Sequence, residues 1–215
     1  MRTDDRARFK HIGVKGDKAL NGKTVAIAGL GGMGTHVASV LCRENIDLRL
    51  VDRGRVEEED MHRLSIFYED DITKFKVKQA KMRLNAINPS VQIKSFHEEI
   101  SEDNVFLLDA AVIVDTSNNP AINAITSEYA MRQRIPYVLG RYSGSVVRIL
   151  VANKKVKIPA RMNLPGLEKE GVFGPTTTFT GSLIAGEVLR ILLGERHSIL
   201  IEADVWARTL KVTKV

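Results

Sequence analysis

The stretch TVAIAGLGGMGTHVASVL, Thr24 to Leu41, constrains this chain more than any other. An apolar run enters a glycine cluster, and the cluster opens a segment with helical spacing of its apolar positions. Gly29, Gly31, Gly32 and Gly34 spell G-L-G-G-M-G. The backbone must bend sharply there, approach an anion closely and start a helix whose first N–H groups point at that anion. Asp52 closes the next apolar run, 23 residues after Gly29, where an acidic side chain takes the ribose hydroxyls of a nucleotide. The motif by itself leaves NAD, FAD, S-adenosylmethionine and ATP open as ligands, and a turn packed only for structure as the bland alternative.

The rest of the chain alternates. DLRLVD, VQIKSF, AAVIVD and PYVLG read as strands; KVKQAKMRLNAIN and NPAINAITSEYAMRQR read as helices, and SEDNVFLL as a short capped helix. AAVIVD is apolar throughout, as a strand buried on both faces must be. GSVVRILVA, SILIEAD and TLKVTKV add closing strands expected to be antiparallel, and TGSLIAGEVLRILLG is a buried helix. The expected fold is therefore α/β: a Rossmann-like, mostly parallel sheet with helices on both faces and a C-terminal antiparallel extension. One domain is expected over 1–215, with an N-terminal arm (1–22), a nucleotide-binding half (23–140) and a substrate-side, closing half (141–215). The stretch NKKVKIPARMNLPGLEKEGVFGP has no periodicity and is long for a plain connection, which marks it as a functional loop.

Composition narrows the class. Among 215 residues, 44% are hydrophobic and 27% charged, as in ordinary soluble domains. No apolar run approaches the roughly 20 residues of a membrane span, and MRTDDRARFK has no signal-peptide core, so the cytoplasm is the expected location. Cys42 is the only cysteine; an internal disulfide and a multi-cysteine zinc site are excluded, and its place on the apolar face of the first helix suits a buried thiol. The net charge of +6 favours anionic ligands. Scattered basic residues and 6% aromatics give no nucleic-acid signature.

The doubled glycine, VDRGRVEEEDMHRL, TKFKVKQAKMRLNAINP, VIVDTSNN and GVFGPTTTFTGSLIAGEVLRILLG follow one another in that order. Together they resemble the ThiF/MoeB/HesA family, which includes the adenylation domain of ubiquitin-activating enzymes, from about Gly13 to the end of the chain. The resemblance implies that the turn binds ATP and that a substrate carboxylate attacks the α-phosphate, giving an acyl-adenylate and pyrophosphate. It implies that Gly29, Gly31 and Gly32 line the nucleotide, that Asp52 takes the ribose, and that Arg63 and Lys76 reach the phosphates. Cations suit that place because negative charge gathers there as phosphorus is attacked. Lys74 and Lys78 are close enough to compete for the lysine role. Arg6 or Arg8 would match an arginine that crosses a dimer interface to ATP. A homodimer is implied as well.

Departures from the family pattern bear on the metal. The family usually carries D-x-x-D-N after the buried strand, its second aspartate holding magnesium; here DTSNN puts Asn118 there. An amide is a weaker magnesium ligand than a carboxylate. Asp60 stands where the family usually has asparagine, and Asn123 where many members carry arginine. Asp60 with Asp115 is therefore the expected Mg2+ pair, with Arg63, Lys76 and Asp115 as catalytic residues; lost or weakened activity is the competing reading. The position of the family's acyl-accepting cysteine is held near Leu167, so an outside acceptor, such as a protein thiol, is expected to complete the reaction.

Two substrates remain open: the C-terminal glycine of a small ubiquitin-like sulfur carrier protein, or a small-molecule carboxylate such as a pyridinol. The compact, zinc-free form resembles the adenylating member of iron-guanylylpyridinol cofactor biosynthesis, and tilts the reading toward the smaller substrate. Arg141, Arg148 or Arg161 could meet an anionic substrate, though each also reads as a surface arginine. The competing classes are an NAD-dependent oxidoreductase, for which scattered histidines (His36 and His62 among them) give no catalytic pairing, and a nucleotide-binding subunit without catalysis.

Overall fold

The structure is a computed structural model that describes residues 4–153, 158–164 and 167–215. Residues 154–157 and 165–166 of the stretch marked as a functional loop lie outside those residues. The glycine-turn segment folds as its pattern requires: β1 (Thr24–Ala28) leads through the turn into α3 (Gly32–Arg43), and the chain returns in β2 (Asp47–Val51). A long polar connection then reaches α4 (Lys76–Ile87) and β3 (Ile93–Phe96), followed by β4 (Val112–Asp115), α5 (Pro120–Gln133) and β5 (Tyr137–Ser143). The closing half holds β6 (Val146–Ala152), α6 (Leu167–Glu170), α7 (Gly174–Leu192), β7 (Ile199–Asp204) and β8 (Thr209–Lys214). Ahead of β1, the arm forms α1 (Asp4–Arg8) and α2 (Gly13–Leu20).

Among the described residues, eight strands form one sheet in the order β3-β2-β1-β4-β5-β6-β7-β8. β1 pairs in parallel with β2 and β4, and β4 with β5; β6, β7 and β8 are each antiparallel to the preceding strand. The winding runs outward from β1 to β3 and then resumes on the other side of β1 at β4. That reversal leaves a crevice at the carboxyl ends of β1 and β4, where open α/β sheets bind ligands.

Two apolar cores cover the faces. Val25, Ile27, Leu48 and Leu50 meet Val37 and Leu41 of α3, Leu84 of α4 and Val188 of α7 on one side. Ala26, Ala28, Ile113 and Leu139 meet Tyr129 and Ala130 of α5 on the other. Small residues let α7 lie close to α3: a Cβ on Gly181 would fall 2.5 Å from His36 Cβ, and one on Gly32 would fall 2.6 Å from the Thr177 methyl.

Most expected elements form, and the differences have local causes. The buried helix begins at Gly174, six residues before TGSLIAG, because Pro175 in its first turn needs no N–H partner. The short helix near residue 105 is a single 3-10 turn, Val105–Leu108. The arm is helical, not merely a basic lead-in. Arg6 joins α1 to α2 by pairing with Asp17 at 2.5 Å, and to the far end of α3 by pairing with Glu44 at 2.8 Å.

Candidate functional site

The glycine turn is shaped by four different constraints. Gly29 has φ +91°, and a Cβ there would lie 2.9 Å from the backbone of Ser117. Gly34 cannot carry a Cβ without meeting the Gly29 carbonyl oxygen at 2.0 Å. Gly32 is filled from above by Thr177. A Cβ on Gly31 would meet nothing within 4 Å, so at Gly31 alone the backbone faces open space. Gly31 is also the N-cap of α3, and among the described residues that helix has no side-chain N-cap. The first N–H groups of α3 therefore have no partner from a cap, and the helix dipole adds to their pull on an anion. These features fit a phosphate group.

Asp52 stands beside this turn at the end of β2. Its Oδ2 accepts from the Leu30 N–H at 2.6 Å and its Oδ1 from the Gly54 N–H at 2.5 Å. Each carboxylate oxygen can still accept a second bond. A cleft of about 210 Å³ joins Gly29, Asp52 and Gly54 to Ser117, Asn119 and Ile122. A larger recess of about 440 Å³, between Thr24, Arg49 and Lys94, lies at the amino edge of the strands, the opposite edge from the crevice.

The polar connection delivers the charges. A 3-10 turn, Glu58–Asp60, buries Asp60 to 5% exposure. Its Oδ1 pairs with the Arg63 guanidinium and its Oδ2 with Lys76 Nζ at 3.0 Å. The connection is fixed to α4 by Asp71, whose two oxygens take the Arg83 fork at 2.9 and 3.0 Å. The Arg63 carbonyl accepts from Thr177 Oγ1 at 3.4 Å, which ties the arginine to α7. Lys76 is thus the lysine that joins the cluster: Lys74 pairs with Asp71 at 3.9 Å, and Lys78 lies over the Phe75 ring.

Asp115 has different surroundings. It is fully buried at the end of β4. Oδ1 accepts from Ser117 N and Oγ, and Oδ2 from Thr126 Oγ1 and Tyr137 Oη, at 2.5 to 3.1 Å. Burial, with Asp115 beside it, raises the Tyr137 hydroxyl well above the ordinary tyrosine pKa. Asn118 follows with φ +55°, a left-handed turn that asparagine tolerates better than most residues. The expected magnesium pair therefore consists of one carboxylate that already balances two cations, Asp60, and one whose two oxygens each take two hydroxyl or N–H donors, Asp115. Among the described residues no three His, Cys, Asp or Glu side chains gather as a metal cluster, and this donor set does not fit a ready-made magnesium site.

The other candidate residues have partners of their own. Arg6 is held within its own chain, at the opposite end of α3 from the glycine turn. Arg8 pairs with Asp5 on the surface. His62 Nδ1 lies 2.9 Å from the Glu59 carbonyl. His36 Nε2 lies 3.0 Å from Thr178 Oγ1, and burial pushes its pKa down against an opposing hydrogen bond with the Arg63 backbone. Arg148 and Arg161 share Glu202 at 3.8 and 3.7 Å. Arg141 is not a surface arginine; it is 6% exposed. The sequence reading gave no role to Ser117 and Thr177, although both lie inside the family-like stretches, nor to Thr126 and Tyr137, which lie outside them; Tyr137 and Thr177 meet partners from distant segments.

An uncapped helix over a glycine turn, at the switch point of a parallel sheet, defines a nucleotide-binding α/β protein. The chain belongs to the ThiF family, whose profile matches residues 3–214. It is 32% identical over 211 residues to the sulfur carrier protein ThiS adenylyltransferase of Bacillus subtilis, covering 92% of this chain and 63% of that protein. It is 27% identical over 204 residues to the sulfur carrier protein adenylyltransferase of Thermus thermophilus, covering 85% of this chain and 74% of that one. A crystal structure of E. coli MccB with ATP superposes with a TM-score of 0.81 at 19% identity, over 92% of this chain and 65% of that chain. Selenomethionine PaaA gives 0.77 at 20% identity, over 93% and 66%. The chain thus spans about two thirds of the length of these relatives, and the structural likeness establishes the fold.

Proposed function

We propose that this protein adenylates a carboxylate at the expense of ATP, as a step in cofactor biosynthesis. The observation that carries the reading is the uncapped amino terminus of α3 above the open Gly31 backbone, in the same chain as the Arg63–Asp60–Lys76 cluster. ATP supplies the adenylyl group: a substrate carboxylate oxygen bonds to the α-phosphorus, and the bond to the pyrophosphate oxygen breaks. The α3 N–H groups hold phosphate oxygens, and Asp52 accepts from the ribose hydroxyls. Arg63 and Lys76 stabilise the negative charge that grows on the phosphates, worth about 10²–10³ in rate for one such donor. Asp60 keeps both cations pointed the same way, and Asp115 fixes the β4–α5 turn that carries Asn118.

The substrate is a small-molecule carboxylate or the C-terminus of a small carrier protein; relatives named for sulfur carrier proteins support the second source. Cys42 is buried on α3 with its thiol 3.3 Å from the Leu84 carbonyl, so the adenylate passes to an outside acceptor such as a protein thiol. Homodimerisation and a cytoplasmic location accompany this reading. The test is pyrophosphate exchange into ATP with a carrier protein and with a carboxylate library. Exchange should depend on added carboxylate and fall about 100-fold in Arg63→Ala and Lys76→Ala. Stabilisation by NAD and not by ATP would sink the reading.

A further inference from the structure

The carboxyl edge of β5 carries a charge that no described residue neutralises with an ion pair. Among the described residues the buried Arg141 guanidinium donates only to neutral oxygens. Nε and Nη2 both reach Asn123 Oδ1, Nε at 2.9 Å, and Nη1 reaches Asn163 Oδ1 at 3.4 Å. Asp115 acts on it electrostatically but makes no ion pair, its oxygens being held by Ser117, Thr126 and Tyr137. Burial disfavours an unmatched charge and holds the Arg141 pKa below the ordinary arginine range. The sheet register adds to the cost, because Arg141 lies directly opposite Arg148, and like charges so placed are destabilising.

Ser143 supplies a second, independent observation. It lies two residues further along β5, on the same face as Arg141. It is buried, and among the described residues its Oγ has no hydrogen-bond partner. A buried cation without a counter-ion and a buried hydroxyl without a partner lack the same thing, an anion that accepts from both.

Position supplies the class of ligand. Asn123 Nδ2 donates to Ser117 Oγ at 3.1 Å, and Ser117 lines the cleft beside Gly29 and Asp52. β5 is two strands from β1, about 10 Å at ordinary strand spacing. Resting on the adenylation reading, we infer that Arg141 and Ser143 form a specificity subsite for a second anionic group, a carboxylate or a phosphate, on the acid whose other carboxylate is adenylated. Arg148 and Arg161, with Glu202 between them, add positive potential beside it. A polypeptide C-terminus without an acidic side chain would leave Arg141 unmatched.

The test measures Kd at matched ionic strength for three probes: acetate with one anion, succinate with two carboxylates, and 2-phosphoglycolate with a carboxylate and a phosphate. ATP binding is measured in parallel. Succinate or 2-phosphoglycolate should bind the native protein about tenfold or more tighter than acetate, and whichever binds tighter identifies the anion. Arg141→Met should abolish that preference, keep ATP binding and melt no lower than the native protein. Arg141→Lys, the variant to use if the methionine protein fails to fold, should weaken the preference without removing it. Equal binding of all three probes, or a preference that survives in both variants, overturns the subsite while leaving adenylation standing. Loss of ATP binding in the native protein would instead overturn the reading on which it rests.

Discussion

At the scale of single residues, Asp60 is where charge and function meet. Both its oxygens hold cations that face the phosphates in our reading. If Asp60 anchors Arg63 and Lys76, then Asp60→Asn should lower pyrophosphate exchange about tenfold and leave the magnesium concentration for half-maximal rate unchanged. A metal ligand would instead shift that concentration upward. His36 tests the packing behind the site. Its pKa is depressed by burial, so the folded protein binds the proton less readily than the unfolded chain, whose histidine titrates at about 6.5. The stability it contributes is present above about pH 6.5 and is lost as pH falls through the lower folded value. Thermal melts from pH 8 to 5 should therefore decline more steeply for the native protein than for His36→Gln.

At the scale of the element, the turn and α3 act as one unit, and its glycines separate folding from binding. Gly34→Ala drives a Cβ onto the Gly29 carbonyl, and a loss of about 1–3 kcal/mol is expected in a denaturant melt. Gly31→Ala meets open space at an ordinary φ of −79°. It should fold with native stability and bind ATP less tightly, since its new methyl occupies the approach to the α3 N–H groups. If both variants kept full ATP affinity, the turn would not be the phosphate site. The order of strands and helices from β1 to β5 was legible because periodicity is local. The boundaries of α7 were less so, because apolar residues nearly all round a buried helix blur its start.

At the scale of the whole molecule, the arm behaves as a clasp. Arg6 bridges Asp17 and Glu44 at 8% side-chain exposure, although the resemblance to the family implied that an arm arginine reaches ATP. Arg6→Ala should lower stability by about 1–2 kcal/mol after solvent screening, with the Kd for ATP unchanged. A large loss of ATP affinity without loss of stability would restore the other role. The antiparallel strands β6 to β8 extend the sheet past β5, and α7 returns over α3, which brings Thr177 to Gly32 and ties Arg63 into the same layer.

The sequence by itself determined the parallel α/β core, the glycine turn, Asp52 and the candidate phosphate cations, because each rests on short-range spacing or on motifs in fixed order. Only the tertiary structure decided what the charges do. Asp60 and Asp115, similar in the sequence as spare carboxylates, differ once folded: one is held between two cations, the other is sealed by hydroxyls of α5 and β5. Arg141, indistinguishable in the sequence from a surface arginine, is buried against amides. Pairing and burial depend on which distant segments meet, and no local pattern of residues encodes that.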